Sequence, residues 1–254
     1  MLMAPQVRTA SRMLALQKQC ARKGFRASCI SQHTGPVAAG PQGSAGLPQP
    51  FMKRHDQVAG FILAGGVSSR MGRDKALLEI GGVPLLVRTA RLIEPLVAAV
   101  TVIGSPERYA SLGLRVIPDA VTGVGPLGGI ATALRFSASA WNLILGCDLP
   151  YLTAKWLDWL MARALDSQAD ALLPETPRGV EPLCAMYRTS CAPAIAEAIA
   201  QGVRKVTDGL AGLVVRHVGE AEWQALESAE VLFKNMNTPQ DYEEARAKLE
   251  GKAE

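Results

Sequence analysis

This 254-residue sequence predicts an α/β fold, Rossmann-like, with a mostly parallel central sheet and helices on both faces. Three observations carry that expectation. From Val58 onward, apolar runs of strand length alternate with segments of helical periodicity. The first run, Val58 to Ala64, is apolar at consecutive positions, as a strand covered on both faces requires. Glycine-rich breaks follow two of the runs, where open α/β sheets place their ligand loops.

The elements follow in order. Strands are expected at 58–64, 97–103, 114–117, 141–146 and 169–173. Between them lie helices at Pro84–Ile93, which opens with proline in its first turn, at Leu127–Ser137 and at Ala154–Asp166. Past residue 174 the alternation loosens. A strand is expected at 183–187, a helix at Pro193–Ile199, strands near 213–217 and 230–233, and a last helix at Pro239–Leu249. These form the second half of one sheet domain over residues 52–254, with one half of the site on 58–150 and the far wall of the cleft on 151–250.

Residues 1–51 differ in kind. They end in GPVAAGPQGSAGLPQP, which builds no core, and read as a disordered leader or extension. An Arg-rich, acid-free stretch also suits a transit peptide, but an upstream extension ahead of Met52 or a solvated tail is preferred, since the fold needs nothing before Val58. This stretch also distorts the net charge of +4. Residues 1–55 hold eight Lys/Arg and no acid, which leaves nineteen cations against twenty-three anions from Asp56 on. A nucleic-acid surface is therefore not expected. Cys20, Cys29, Cys147, Cys184 and Cys191 include no C-x-x-C pair, as suits a reducing, cytoplasmic setting. No apolar stretch has transmembrane length, so no membrane role is expected.

The chemistry concentrates in VAGFILAGGVSSRMGRDK, residues 58–75. The strand breaks into Gly65-Gly66, then small and hydroxyl residues, then Arg70, Arg73, Asp74 and Lys75. Free backbone N–H groups ringed by cations suit a polyphosphate. The spacing is not that of a Walker A loop, and no Ser/Thr follows the lysine; nor is there a G-x-G-x-x-G. A third kind of nucleotide loop is needed. Leu63, Ala64 and Gly65 would offer backbone to base and ribose, Gly66 to Gly72 would wrap the phosphates, and Arg70 and Lys75 would neutralise them. The plainer alternative is a tight strand–helix connection with solvated cations.

LAGG-x-S-S-R-M-G-R-D-K-A-L resembles the signature loop of nucleotidyltransferases that activate sugars, isoprenoid precursors and molybdopterin. It is most similar to the molybdenum cofactor guanylyltransferases, and the likeness runs from about Val58 to about Leu249. The resemblance implies the nucleotide-diphospho-sugar transferase type of sheet. It also implies transfer of GMP from GTP to the phosphate of molybdopterin, with pyrophosphate leaving and magnesium (Mg2+) as cofactor.

Further positions can be weighed beside that resemblance. Asp148, in WNLILGCDLPYL, falls just past the end of a strand, where a carboxylate can hold a hard cation against phosphates. The family's CDxP-type motif points to the same residue as metal ligand and nucleotide contact; a helix cap or turn is the alternative. Asp119, in VIPDAVTGVGPLGG, corresponds to a family aspartate that contacts the guanine nucleotide, although Pro-Asp is also ordinary turn chemistry. Gly125, Gly128 and Gly129 have either ligand or packing readings. NMNTPQD, residues 235–241, resembles the pterin-side element, which makes Asn235 and Asn237 acceptor-binding; Thr238 before Pro239 reads equally as a helix N-cap. Glu181, in Glu181-Pro182-Leu183, resembles a further acceptor-side element. One departure stands out: where the family often has an asparagine after the second strand, this chain has Gly104-Ser105. Cys147 and the scattered His33, His55 and His217 receive no role.

The implied reaction is in-line attack of the acceptor phosphate on the α-phosphate, with Lys75, Arg70 and Asp148 as catalytic groups acting by positioning and charge neutralisation. LAGG with Asp74-Lys75 resembles the guanylyl branch, whereas the cytidylyl branch more often has LAAG and an asparagine before the lysine. A molybdopterin cytidylyltransferase is one alternative; a non-catalytic nucleotide-binding protein that delivers cofactor is another. Partners implied beyond the two substrates are molybdoenzymes or the molybdenum-insertion enzyme, through docking.

Overall fold

The hydrophobic run ahead of the glycine-rich loop lies at the centre of a sheet because both of its faces are apolar. In the computed structural model, which describes residues 53–65, 73–226 and 229–251, it forms β1 (His55–Ala64). Val58, Ile62 and Ala64 face one core cluster, while Ala59 and Phe61 face another. The leader, 1–51, lies outside the described residues, as do Gly66 and Arg70. The described residues fall within one compact unit, Gln49–Glu254.

Six further strands pair with β1 directly or through neighbours: β2 (Val97–Gly104), β3 (Val116–Ile117), β4 (Trp141–Gly146), β5 (Ala171–Thr176), β6 (Cys184–Arg188) and β7 (Val215–Gly219). Their order across the sheet is β7-β5-β6-β4-β1-β2-β3, and a two-residue strand, Gly179–Val180, pairs with β5. The pairs β1–β2, β1–β4, β2–β3 and β5–β7 are parallel; β6 runs antiparallel between β4 and β5. The expected mostly parallel sheet is thus present, with two reversed strands in its second half, β6 and the short Gly179–Val180.

Helices cover both faces. α1 (Leu85–Ile93) and α3 (Ala154–Leu165) bury Leu86, Ile93, Trp156 and Leu160 on one side. α2 (Pro126–Phe136) and α4 (Ala192–Ala200) bury Leu127, Ile130 and Ile195 on the other. A third, smaller cluster holds α5 (Pro239–Glu250) against the hairpin Glu79–Ile80 and Val83–Pro84 through Leu78, Ile80, Leu85, Tyr151, Met236 and Ala245.

The strand expected near 230–233 is instead a short helix, Ala229–Leu232. Its apolar run, Val231-Leu232-Phe233, is too short for periodicity to separate strand from helix. Packing decides the matter. Phe233 joins Trp156 and Trp223 in a trio of edge-to-face rings, with centroids 5.2 to 5.7 Å apart. Neither buried indole N–H of Trp156 or Trp223 has a hydrogen-bond partner among the described residues, so ring packing holds the trio together. Phe233→Ala should remove about 3 kcal/mol of stability, measured by urea unfolding followed through tryptophan fluorescence.

Candidate active site

Chain order dictates where a ligand should sit. The chain leaves β1 for β2 on one side and later returns as β4 on the other, so a crevice opens beyond the carboxyl ends of β1 and β4. Leu63 is paired on both flanks, with Ile103 and Gly146, whereas Ala64 pairs only with Gly104. Gly65 lies beyond the last pair, exposed, with open space where a side chain would be. Backbone free to meet a ligand therefore begins at Ala64 and Gly65.

Lys75 and Asp148 meet across this crevice. Lys75 Nζ lies 3.5 Å from Asp148 Oδ2, and their side chains are only 17% and 28% exposed. Lys75 also donates to Asn237 Oδ1 at 2.7 Å. The C-terminal segment is tied to the same place, for the Met236 N–H donates to the Asp148 carbonyl at 3.0 Å. Gly146 allows the aspartate to fold back over its own strand end: a Cβ there would lie 2.9 Å from Asp148 Oδ1. Residues from three distant parts of the chain thus converge on one charge pair.

The loop end that carries Lys75 is fixed by Asp74, whose Oδ1 accepts from the Ala76 N–H at 3.1 Å and caps the turn Lys75–Leu77. Its other oxygen accepts from the buried Tyr109 hydroxyl at 2.8 Å and lies 3.5 Å from Arg108. Sequence reasoning missed Tyr109, because no motif marks a tyrosine that follows a strand. The neighbouring departure from the family pattern also has a packing cause. A Cβ on Gly104 would come within 2.4 Å of the Ala64 carbonyl and 2.8 Å of the Tyr109 ring. Ser105 donates to Glu107 at 2.7 Å and is spent locally.

Other expected residues fall into two groups. Asp119 Oδ1 accepts from the Val121 N–H at 2.9 Å and from the buried Thr132 hydroxyl at 2.7 Å, so one of its oxygens serves the turn onto α2. Gly128 and Gly129 are buried where α2 presses on the Val121 carbonyl and on Leu63, a packing role. Thr238 caps α5 in a capping box with Asp241. Asn235 is half-buried, and its side chain makes no hydrogen bond to the described residues. Cys147 is held as the thiol, since burial pushes it up to about 12. Cys184 and Cys191 are free as well.

Glu181 belongs with the crevice. Its carboxyl is pushed up to about 7, first by burial and then by the Asp148 charge, with Arg178 opposing. Among the described residues no group of three or more His, Cys, Asp or Glu could hold a metal. A cation here would take at most two such groups from the described residues and draw its other oxygens from elsewhere.

Comparison with known proteins identifies the family. The family described as MobA-like NTP transferase domain matches residues 60–217, and the chain belongs to that family. A protein of Pelotomaculum thermopropionicum named "Probable molybdenum cofactor guanylyltransferase" is 38% identical over 195 residues, covering 76% of this chain and 94% of that one. The molybdenum cofactor guanylyltransferase of Serratia proteamaculans is 32% identical over 191 residues, covering 74% and 93%. Molybdopterin-guanine dinucleotide biosynthesis protein A from Archaeoglobus fulgidus superposes with a TM-score of 0.67 at 26% identity, covering 76% of this chain and 99% of that one. The fold is that of the nucleotide-diphospho-sugar transferases, and the resemblance read from the glycine-rich loop is borne out.

Glu181 generates a stability prediction. Its folded value lies above the ordinary carboxylate value, so the stability it contributes is full below about pH 4 and is lost as pH rises through about 7. Glu181→Gln, which cannot ionise, should remove that loss. Urea unfolding at pH 5 and pH 8 should show the variant gaining on the parent at pH 8.

Proposed function

We propose that this protein transfers GMP from GTP to the phosphate of molybdopterin and releases pyrophosphate. The observation that carries the reading is the Lys75–Asp148 pair, 3.5 Å apart over the crevice between β1 and β4. The guanylyltransferase relatives support the choice of substrates.

The donor set suits magnesium. Asp148 presents a hard, partly exposed carboxylate, and Mg2+ is ordinarily held by one or two carboxylates together with water and phosphate oxygens. When bound, such an ion neutralises phosphate charge. The chain's own residues do the rest. Ala64 and Gly65 give backbone access to the nucleotide, Lys75 and Arg70 balance the charge that gathers on the α-phosphate and leaving group, and Asn235, Asn237 and Glu181 bind the acceptor. Asp119 contributes to the nucleotide side through its second oxygen. The acceptor phosphate is already an anion at neutral pH, so positioning and charge neutralisation suffice without a strong base.

The setting is the cytoplasm, with the product passed on by docking to a molybdoenzyme or to the molybdenum-insertion enzyme. No helix among the described residues is long and apolar enough to cross a membrane.

Incubation with Mg2+, molybdopterin and either GTP or CTP should give the guanine dinucleotide and pyrophosphate from GTP. A cytosine dinucleotide would overturn the base assignment, and nucleotide binding without pyrophosphate release would favour a delivery protein. Asp148→Ala should lower turnover by about 100- to 1,000-fold with an unchanged unfolding midpoint. Near-parental activity in that variant would refute its role.

A further inference from the structure

Asn237 lies in the acceptor-side segment, yet its side-chain oxygen is already engaged by a residue of the nucleotide loop. Lys75 Nζ donates to Asn237 Oδ1 at 2.7 Å. An ammonium carries only donors, so the amide must turn its oxygen toward Lys75, which leaves its NH2 branch directed elsewhere. That NH2 group has no partner among the described residues. The backbone around it is pinned. The Asn237 N–H donates to Asp241 Oδ2 at 3.0 Å, and the preceding Met236 N–H donates to the Asp148 carbonyl at 3.0 Å. The freedom left to Asn237 is in its side chain, above all in which end of the amide faces the acceptor. Lys75 settles that choice, and it is itself held beside Asp148 and mostly buried.

We propose that Lys75 fixes Asn237 as a pure hydrogen-bond donor toward the acceptor, so that a lysine of the nucleotide side controls acceptor affinity. This rests on the reading of the site as a nucleotidyltransferase and adds a link between its two subsites. The ligand atom selected is one with a free lone pair, such as a phosphate or ring-carbonyl oxygen, because a donor-only group would meet the amide NH2 donor against donor. By reciprocity, an acceptor that holds the amide also holds Lys75 in place for the triphosphate, so each substrate strengthens binding of the other.

The test measures molybdopterin binding by titration calorimetry without nucleotide, on the full chain. Lys75→Met should weaken it by about five- to tenfold, and Asn237→Leu by a similar factor, the range expected for one hydrogen bond. The double variant should bind no more weakly than the weaker single, since Lys75 acts through Asn237. Unfolding midpoints show that each variant is folded. Unchanged binding in Lys75→Met would overturn the proposal; so would multiplying factors in the double variant, which would mean that Lys75 touches the acceptor itself. If the parent protein transfers GMP while Lys75→Met binds acceptor normally, this inference alone fails. If the parent binds no molybdopterin, the functional reading fails and this inference with it.

Discussion

A cation and a carboxylate set opposite each other at the mouth of the β1–β4 crevice organise the residues of the candidate site. At their 3.5 Å separation the gross Coulomb attraction is about 5 kcal/mol for an effective dielectric near 20, and much of it is offset by desolvation of two mostly buried charges. A pair balanced in this way holds the loop end in place without ligand, yet yields when a stronger set of charges arrives. On the proposed reading a triphosphate with its counter-ion would be such a set: its phosphates would attract Lys75, and the cation would attract Asp148.

Holding that pair takes more of the chain than the loop and the strand end. The C-terminal helix grips the hairpin downstream of the loop, where the Tyr242 hydroxyl donates to the Glu79 carbonyl at 2.6 Å and Glu250 accepts from the Gly81 N–H at 2.9 Å. The aromatic trio then anchors the stretch that leads into NMNTPQD. Asn237 is thereby delivered to Lys75 from 162 residues away. The small third core is the reason a two-sided site can be built on a single sheet.

The sequence made the strands legible where burial was complete. Val58–Ala64 and Trp141–Gly146 read as strands because both are apolar at nearly every position, Asn142 excepted, and the structure places both at the centre. Legibility faded at the edges: β3 shrinks to Val116–Ile117, and the run at 230–233 coils into a helix, because there tertiary packing rather than local pattern decides. Within the site, Lys75 and Asp148 were visible because each follows a strand end with a chemical motif around it. Tyr109 and the Lys75–Asn237 bond were not, since neither a lone tyrosine nor a contact between distant segments leaves a periodic trace. Asp119 shows the limit differently: one carboxylate carries both a turn and a candidate ligand contact, so neither reading excludes the other.

Asp74 bears on how base choice is written into such a chain. Next to Lys75 it resembles the guanylyl pattern, where the cytidylyl one more often has an asparagine, which would suggest a residue that reads the base. In the structure both of its oxygens are occupied, one by the turn it caps and the other by Tyr109 and Arg108. An asparagine there could still cap the turn, and its NH2 group could donate to the Tyr109 hydroxyl, but it would meet the Arg108 guanidinium donor against donor and lose the charge that faces it. The exchange would therefore move the anchor of the loop rather than a contact to the base. Aspartate at this position bears on how the lysine is carried to the crevice, since one of its oxygens caps the turn that begins at Lys75.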